Sequence, residues 1–192
     1  MNLDQIRADL VVKNKTILLM GDINEEMYKR FKVEISLLKT MGSPDFELEI
    51  DSTGGNYYQC RRIISEMKRY KGKITGVVVG SCDSCAFYIL QNCDWRVAYE
   101  CLFLCMHKIA NGKIVGVRCT EDILETIVVK DKHGNRLVKK EAKRLKKTNT
   151  KIIKLFVSKS NLSFEQISKK MFRDKPYSSK KFLKWGFLDE VI

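Results

Sequence analysis

Three residues of the types that act together in serine hydrolases lie far apart in the chain: Ser84, His107 and Asp174. A serine hydroxyl attacks a carbonyl at neutral pH only when a base takes its proton. Histidine has the intrinsic pKa for that base. A carboxylate can fix the histidine tautomer and stabilise the imidazolium. Together the three side chains would support acyl transfer.

Each of the three also has an ordinary structural interpretation. Ser84 could cap the helix that follows it. His107 ends an apolar strand and could be a satisfied core histidine, and Asp174 could be a surface charge. Taken one at a time, these residues leave both interpretations open.

Two glycine-bearing turns are predicted to surround Ser84. Asp51-Ser52-Thr53-Gly54-Gly55 follows the apolar segment Phe46–Ile50, and Gly80-Ser81-Cys82-Asp83-Ser84 follows Ile74–Val79. Ligands of open α/β sheets bind at the carboxyl ends of strands. Each turn also precedes a predicted helix, whose first N–H groups can bind a negative oxygen. The sequence therefore predicts that both turns open on one functional edge.

Strand and helix patterns alternate, which predicts an α/β fold with a largely parallel sheet and right-handed crossovers. Apolar residues with a period of two, or in short runs, predict strands, and a period of 3.6 predicts helices. The predicted strands are Thr16–Met20, Phe46–Ile50, Ile74–Val79, Trp95–Tyr99 and Leu102–Met106, and the predicted helices are Asn24–Met41, Tyr57–Tyr70 and Cys85–Cys93.

The second half is predicted in less detail. Lys113–Lys132 mixes β-branched and charged residues, and His133-Gly134-Asn135 predicts a turn. Arg136–Val157 predicts a long, lysine-rich amphipathic helix. Its apolar side would hold Leu137, Leu145, Ile152, Phe156 and Val157. We expect a capping box at Ser163 and Gln166, a cap at Ser178 and a helix end at Gly186.

Composition indicates one globular domain. The chain has 192 residues, 44% hydrophobic, and only 2 prolines. Met1–Val12 has no apolar run, so we expect no signal peptide. The 7 cysteines lie mostly in apolar segments, which favours reduced thiols in a cytoplasmic protein. The net charge of +13 is concentrated between Lys139 and Lys159 without aromatics before Phe156, which argues against nucleic-acid binding.

The order and spacing of the motifs resemble the Clp protease proteolytic subunit along nearly the whole chain, as in a divergent member of the ATP-dependent Clp endopeptidase family. In that family the corresponding pieces are an apolar strand with Gly, an Asn-Ser-Pro-Gly-Gly turn, Gly-x-Ala-x-Ser-Met, His-Gln, Arg-Asp and a closing Gly-Leu-x-Asp. The matching segments here are Leu18–Gly21, Asp51–Gly55, Gly80–Cys85, Met106–Lys108, Glu165–Ile167, Arg173–Asp174 and Gly186–Asp189.

This resemblance implies an α/β fold of the Clp protease/crotonase-like type, a repeated β-β-α superhelix with a long handle helix. Residues 1–192 would form a single domain, with the head at about 13–112 and 161–192 and the handle at about 113–160.

The resemblance also implies roles. Ser84 corresponds to the nucleophile, His107 to the base and Asp174 to the orienting carboxylate. Gly55 and Cys85 would supply the oxyanion-hole N–H groups, and Arg173 corresponds to an arginine that links ring assembly to active-site geometry.

The implied activity is serine-type endopeptidase cleavage of unfolded polypeptides inside a homo-oligomeric chamber. Heptameric rings, stacked in pairs, and an AAA+ unfoldase partner are what the family implies. The chemistry needs no metal or organic cofactor, and we expect no membrane association.

Several residues depart from the family pattern. Thr53 replaces a proline, and Asp83 replaces a small neutral residue before the nucleophile. The N-terminal segment, which in the family engages the ATPase, is short, and residues 113–134 are longer than usual. These departures leave other functions open: an ATPase-independent assembly or maturation protease, a non-catalytic ring subunit, or a crotonase-type acyl-CoA enzyme.

Cys82 and Cys85, with Cys101 and Cys105, also suggest a zinc site faintly. The spacing of the second pair is not the usual close knuckle.

Overall fold

A mostly parallel β-sheet with helices packed on it forms the framework. The structure is a computed structural model that describes residues 2–110 and 136–192. The predictions for Lys113–Lys132, for the turn at His133-Gly134-Asn135, for Cys119 and for the side chain of Leu137 lie outside the described residues. Among the described residues, no helix is both long enough and apolar enough to cross a bilayer.

The strands are β1 (Thr16–Met20), β2 (Phe46–Ser52), β3 (Ile74–Asp83), β4 (Trp95–Ala98), β5 (Phe103–Cys105), β6 (Tyr177–Ser178) and β7 (Glu190–Val191). The helices are α1 (Leu3–Asp9), which continues as a π-helix over Leu10–Asn14, α2 (Glu25–Thr40), α3 (Tyr57–Lys68), α4 (Cys85–Leu90), α5 (Arg136–Ser158), α6 (Phe164–Arg173) and α7 (Ser179–Lys184).

The sheet has the strand order β1-β2-β3-β4-β7, with every neighbouring pair parallel. Strand β5 lies parallel to the end of β3, and β6 runs antiparallel to β5. This arrangement confirms the predicted α/β fold with a largely parallel sheet.

Helices α2 and α3 bury the faces that their periodicity predicts. Asn24 caps α2 by accepting a hydrogen bond from the Met27 N–H at 2.9 Å. The buried residues of the two helices include Met27, Phe31, Ile35, Leu38, Cys60, Ile63, Ile64 and Met67. An apolar stripe of this width packs the helices onto the sheet and stabilises both.

Strand β3 differs most from its prediction, because Gly80–Asp83 is strand and not turn. The register shifts from Ile50 opposite Val78 to Ser52 opposite Cys82, so extra residues of β3 bulge at this point. The Asp51 carboxylate accepts a hydrogen bond from the Ser81 N–H at 2.8 Å. A Cβ at Gly80 would lie 2.4 Å from that carboxylate, so only glycine leaves room for it.

The bulge lets β3 change partners. Thr75 to Val78 pair with β4, whereas Cys82 and Asp83 pair with Leu104 and Cys105 of β5. The sheet therefore divides at β3, and the end of this strand is carried to the strand that precedes His107.

Helix α1 was not predicted, and a buried ion pair holds it. The Arg7 guanidinium lies 2.8 Å from the Glu34 carboxylate and donates to the Leu18 carbonyl at 2.7 Å. Glu34 lies on α2 and Leu18 on β1, so no local sequence pattern predicts these contacts of Arg7. Burial raises the pKa of Glu34, and the hydrogen bond from Arg7 opposes that rise.

Helix α5 buries Leu145, Ile152 and Phe156 as predicted, but Val157 is 37% exposed, so its assignment to the apolar side was wrong. The position of Val157, next to Phe156, turns its side chain off the buried stripe. The predicted capping box at Ser163 and Gln166 is confirmed. Ser178 precedes α7 but makes no capping hydrogen bond through its side chain.

The closing motif Gly186-Phe187-Leu188-Asp189 has a structural role. Gly186 follows α7 with φ +80°, a conformation that favours glycine. Phe187 and Leu188 are buried. Asp189 accepts from the buried Arg96 guanidinium at 2.8 Å through each of its oxygens. This bidentate pair fixes the segment before β7 against β4.

Candidate active site

Ser84 joins β3 to α4 in a backbone conformation that L-residues rarely adopt. Its φ is +55° and its ψ −117°, and its N–H donates to the Cys105 carbonyl at 3.0 Å. A capping serine has an extended backbone and accepts a hydrogen bond from the helix, whereas the Ser84 side chain makes no such bond. The capping interpretation was therefore wrong. Strain of this kind costs about 1–3 kcal/mol and concentrates at functional sites.

Gly54 packs directly against this turn. A Cβ at Gly54 would lie 2.7 Å from the Ser84 Cβ and 3.0 Å from the Cys85 nitrogen, and the φ of Gly54 is +101°. Gly54 was predicted only as part of a motif, without a role. The signal in the sequence was the pair of adjacent glycines in a strand-to-helix turn, both of which have a positive φ.

Gly55 is tied to the segment before α2. Ile23 donates its N–H to the Gly54 carbonyl at 2.8 Å, and its own carbonyl accepts from the Asn56 N–H at 2.7 Å. A Cβ at Gly55 would lie 2.6 Å from the Ile23 oxygen. The buried Cys85 thiol donates to the Gly55 carbonyl at 3.4 Å. The two predicted oxyanion-hole residues are thereby held side by side.

One cavity of about 580 Å³ brings four predicted site residues together: Ser84, His107, Gly55 and Cys85. Its other walls come from α3, the segment after β5, and α5. They are formed by Asn56, Tyr57, Tyr58, Arg61, Ile109, Ala110, Arg144, Leu145 and Thr148. A volume of this size is typical of a binding site that encloses part of a ligand.

His107 lies two residues beyond β5, half-buried, with its Nδ1 atom 2.9 Å from the Lys108 carbonyl oxygen. Because a carbonyl oxygen only accepts, this contact places the proton on Nδ1 and leaves Nε2 as an acceptor. That tautomer is the one a general base requires.

Asn149, in the middle of α5, holds the strand end that carries His107. Its side-chain oxygen accepts from the Ile109 N–H at 2.8 Å, and its amide donates to the Ile109 carbonyl at 3.2 Å. Asn149 is 1% exposed. Asn149 was not predicted as a site residue, although an asparagine on the inner side of a lysine-rich helix is a detectable signal of a buried polar contact.

Asp174 does not line the cavity. It ends α6 in a left-handed conformation with φ +47° and is exposed. Its carboxylate accepts from the Cys105 thiol at 3.8 Å, which places it beside the strand end that leads to His107. Arg173 precedes it, also exposed, and does not line the cavity. The roles of both residues stay predictions.

The Asp83 carboxyl group lies close enough to His107 to interact with it electrostatically. Burial raises the pKa of its carboxyl group, a hydrogen bond from the Cys105 backbone and the charge of His107 lower it, and the charge of Asp174 raises it. Two carboxylates therefore lie within electrostatic reach of each other around Cys105. Burial and these two negative charges raise the pKa of the Cys105 thiol to about 12.

Arg61, Arg144 and the aromatic ring of Tyr57 are further cavity residues without a counterpart in the sequence predictions. The adjacent arginines Arg61 and Arg62, in the second turn of α3, were a signal of an exposed positive charge. At least one of two adjacent residues on an amphipathic helix faces away from the core.

Among residues 2–110 and 136–192, no three potential metal ligands of the His, Cys, Asp or Glu type are grouped.

Comparisons with known proteins assign the chain to a family. The Clp protease family model matches residues 3–108 and 130–192. Two similar proteins are the ATP-dependent Clp protease proteolytic subunits of Lactococcus lactis subsp. cremoris (strain SK11) and of Lactococcus lactis subsp. lactis (strain IL1403). Each is 21% identical to this chain over 194 aligned residues, which cover 95% of this chain and 85% of the relative. The chain belongs to the Clp protease family.

Proposed function

We propose that this chain is a serine endopeptidase, the proteolytic subunit of an ATP-dependent protease. One observation carries the proposal: Ser84 lines the same cavity as His107, Gly55 and Cys85, has a strained backbone conformation, and makes no capping hydrogen bond through its side chain. Membership of the Clp protease family supports it, because the L. lactis relatives are named as proteolytic subunits of this kind.

The proposed reaction is acyl transfer to Ser84. Its Oγ attacks the scissile carbonyl while Nε2 of His107 takes the proton. The N–H groups of Gly55 and Cys85 bind the oxyanion that forms, and one such donor typically contributes about 3–4 kcal/mol to transition-state stability. The imidazolium then protonates the leaving amine, and water attacks the acyl-enzyme by the same route. Asp174 stabilises the imidazolium.

The proposed setting is an oligomeric chamber. Residues 13–112 and 161–192 would form the head of each subunit, and residues 113–160 the handle between stacked rings. The 23-residue length of α5 supports a handle of this kind. Arg173 would couple ring assembly to Asp174, its direct neighbour. Unfolded polypeptide would be delivered by an AAA+ unfoldase.

The test is labelling by a fluorophosphonate, which reacts with activated serines, together with hydrolysis of a panel of fluorogenic peptides. The native chain should label and cleave, and Ser84→Ala should lose both while keeping its thermal unfolding midpoint. Ser81→Ala is the matched control, because Ser81 lies three residues earlier and outside the cavity. Labelling that persists in Ser84→Ala would remove Ser84 from the mechanism. A native chain that neither labels nor cleaves as an assembled ring would instead be a non-catalytic subunit.

The ATP-dependent part of the proposal has its own test. A folded substrate should be degraded only when the chain is mixed with an unfoldase and ATP. Degradation of an unfolded substrate by the chain alone, with no effect of any co-purifying ATPase, would indicate an ATPase-independent protease instead.

A further inference from the structure

The walls of the cavity beside Ser84 carry positive charge. Arg61 of α3 and Arg144 of α5 line it, and among its described lining residues there is no carboxylate. A site that accepts only apolar side chains would not place two guanidinium groups on its walls, because a guanidinium that faces an apolar ligand loses water without a new partner.

The two arginines differ in their partners. Arg144 is bound to Glu141 of its own helix, with its Nε 2.7 Å from one carboxylate oxygen and a second contact to the other. The charge of Arg144 is therefore balanced locally. Arg61 is exposed, and no ion pair joins it to a carboxylate of the described residues. Arg61 is the cation that a ligand can recruit without breaking an existing pair.

Arg61 lies near a pair of aromatic side chains, Tyr57 and Tyr88. The rings of Tyr57 and Tyr88 stack with their centroids 6.2 Å apart. Burial raises the pKa of Tyr57 to about 12, the Tyr88 hydroxyl adds to this rise, and the charge of Arg61 opposes it. The guanidinium of Arg61 therefore lies within electrostatic reach of Tyr57, which lines the same cavity. Its planar group of N–H donors is suited to recognition of a carboxylate.

The positive surface continues away from Ser84. A second cavity of about 410 Å³ shares Tyr57, Arg61 and Thr148 with the first and extends to Lys68, Arg69 and Lys151. Arg69 is paired with Glu66. Lys68 and Lys151 are exposed and form no ion pair with a carboxylate in the described part of the chain. Arg61 therefore stands where two adjoining basic cavities meet.

We propose that Arg61 is a specificity-determining residue that selects polypeptide segments with an acidic side chain close to the bond cleaved at Ser84. The inference rests on the proposed endopeptidase activity. An extended polypeptide rises about 3.3 Å per residue, so a substrate held at Ser84 brings a neighbouring side chain into the same cavity as Arg61. A guanidinium pairs with a carboxylate through two parallel hydrogen bonds, which neutral glutamine cannot match.

The experiment compares fluorogenic peptides that differ only by glutamate or glutamine, placed in turn at each position flanking the cleaved bond. At the position that meets Arg61, the native chain should cleave the glutamate peptide with a kcat/KM about fivefold higher, the size expected for one exposed ion pair. Arg61→Gln should reduce this ratio to about one, and Arg61→Lys should keep part of it, because lysine retains the charge without the planar fork.

The matched control is Arg62→Gln. Arg62 is the adjacent residue of the same type, but it does not line the cavity. Its guanidinium lies 3.8 Å from the centroid of the Tyr28 ring and 5.6 Å from that of Tyr58, and it donates to Gln59. The control should keep the native ratio. The ratio should also fall as salt is raised, because salt screens exposed charges.

Two failures can be told apart. If peptides are cleaved in a Ser84-dependent manner but glutamate and glutamine peptides are cleaved equally at every position, or if Arg61→Gln keeps the native ratio, the inference is wrong and the endopeptidase proposal stands. If no peptide is cleaved in a Ser84-dependent manner, both are wrong.

Discussion

The two ends of the candidate triad are held in very different ways. Ser84 is held by backbone contacts: its N–H donates to the Cys105 carbonyl, and the backbone of Gly54 packs so closely that a Cβ on Gly54 would clash with Ser84. Asp174 is exposed at the end of α6, and its carboxylate accepts from the Cys105 thiol at 3.8 Å. The candidate nucleophile is thus positioned by packing, and the candidate carboxylate by a weak side-chain contact.

This difference leads us to expect that contacts other than the proposed one with Asp174 orient His107. The Lys108 carbonyl fixes the proton on Nδ1, and Asn149 fixes the backbone two residues beyond His107. Asp83 adds a second negative charge near the imidazole. We therefore expect changes around Ser84 to cost far more activity than changes around Asp174.

Among variants that keep Ser84, the largest effect is expected for Gly54→Ala. The new Cβ would lie 2.7 Å from the Ser84 Cβ and 2.9 Å from the Asp83 carbonyl oxygen, so the turn must move. A displacement of about 1 Å at a nucleophile can lower the rate about a hundredfold. The measurement is the rate of fluorophosphonate labelling, with the free energy of unfolding from urea titration as a second readout.

Gly42→Ala is the matched control for this substitution. Gly42 has φ +89°, close to that of Gly54, but no atom of the described residues lies within 4 Å of the position that a Cβ would take there. The control therefore carries the backbone penalty of a positive φ, about 1 kcal/mol, without the clash. Equal labelling rates for the two variants would show that Gly54 does not hold the nucleophile.

A smaller loss is expected for Asp174→Asn. When a carboxylate alone sets the histidine tautomer, its replacement by an amide lowers kcat by roughly 10⁴-fold. Because the Lys108 carbonyl already sets the tautomer here, we expect only the loss of imidazolium stabilisation by an exposed carboxylate, about fivefold in kcat/KM. Peptide hydrolysis measures it. A loss near 10⁴-fold would contradict the proposal that the Lys108 carbonyl orients His107, and it would make the two ends of the candidate triad equally critical.

The smallest effect is expected for Asp83→Asn, and it is an increase in stability. The pKa of Asp83 is raised in the folded state. Its carboxyl group therefore favours folding below its unfolded pKa, and this contribution is lost as pH rises through the folded value. At a pH above the folded pKa the ionised Asp83 is unfavourable, and since it is only half-buried, the neutral amide should raise Tm there by about 1–2 °C.

Thermal unfolding of Asp83→Asn and the native chain at several pH values measures this. The difference in Tm should disappear at acidic pH, where the native carboxyl group is protonated. A lower Tm for Asp83→Asn at pH 7 would contradict the prediction and indicate that the favourable contacts of the carboxylate, first the hydrogen bond from the Cys105 backbone, outweigh its burial.

The elements built from local patterns were predicted well. β1 matches at both ends, and α2 and α3 bury the predicted faces. The end of β3 was not predicted, because Gly80 and Ser81 are turn formers locally, whereas the pairing of Cys82 with Leu104 is a tertiary contact. Local propensity is overridden in such cases by partners that lie far along the chain.

The site was predicted in its residue types more than in its contacts. The family resemblance predicted four site residues that line one cavity: Ser84, His107, Gly55 and Cys85. It could not indicate Asn149 or Arg61, because their roles depend on how α5 and α3 face the cavity. Nor could it indicate which way the Asp83 side chain points. Adjacent side chains on a strand point to opposite faces, and only the packing decides whether Asp83 or its neighbour lies on the side of His107.

The backbone conformation of Ser84 sets protein stability against the proposed catalysis at a single position. With φ +55°, glycine would suit this turn better than any L-residue, yet glycine has no hydroxyl. If Ser84 is the nucleophile, the fold gives up part of its stability for reactivity at this position.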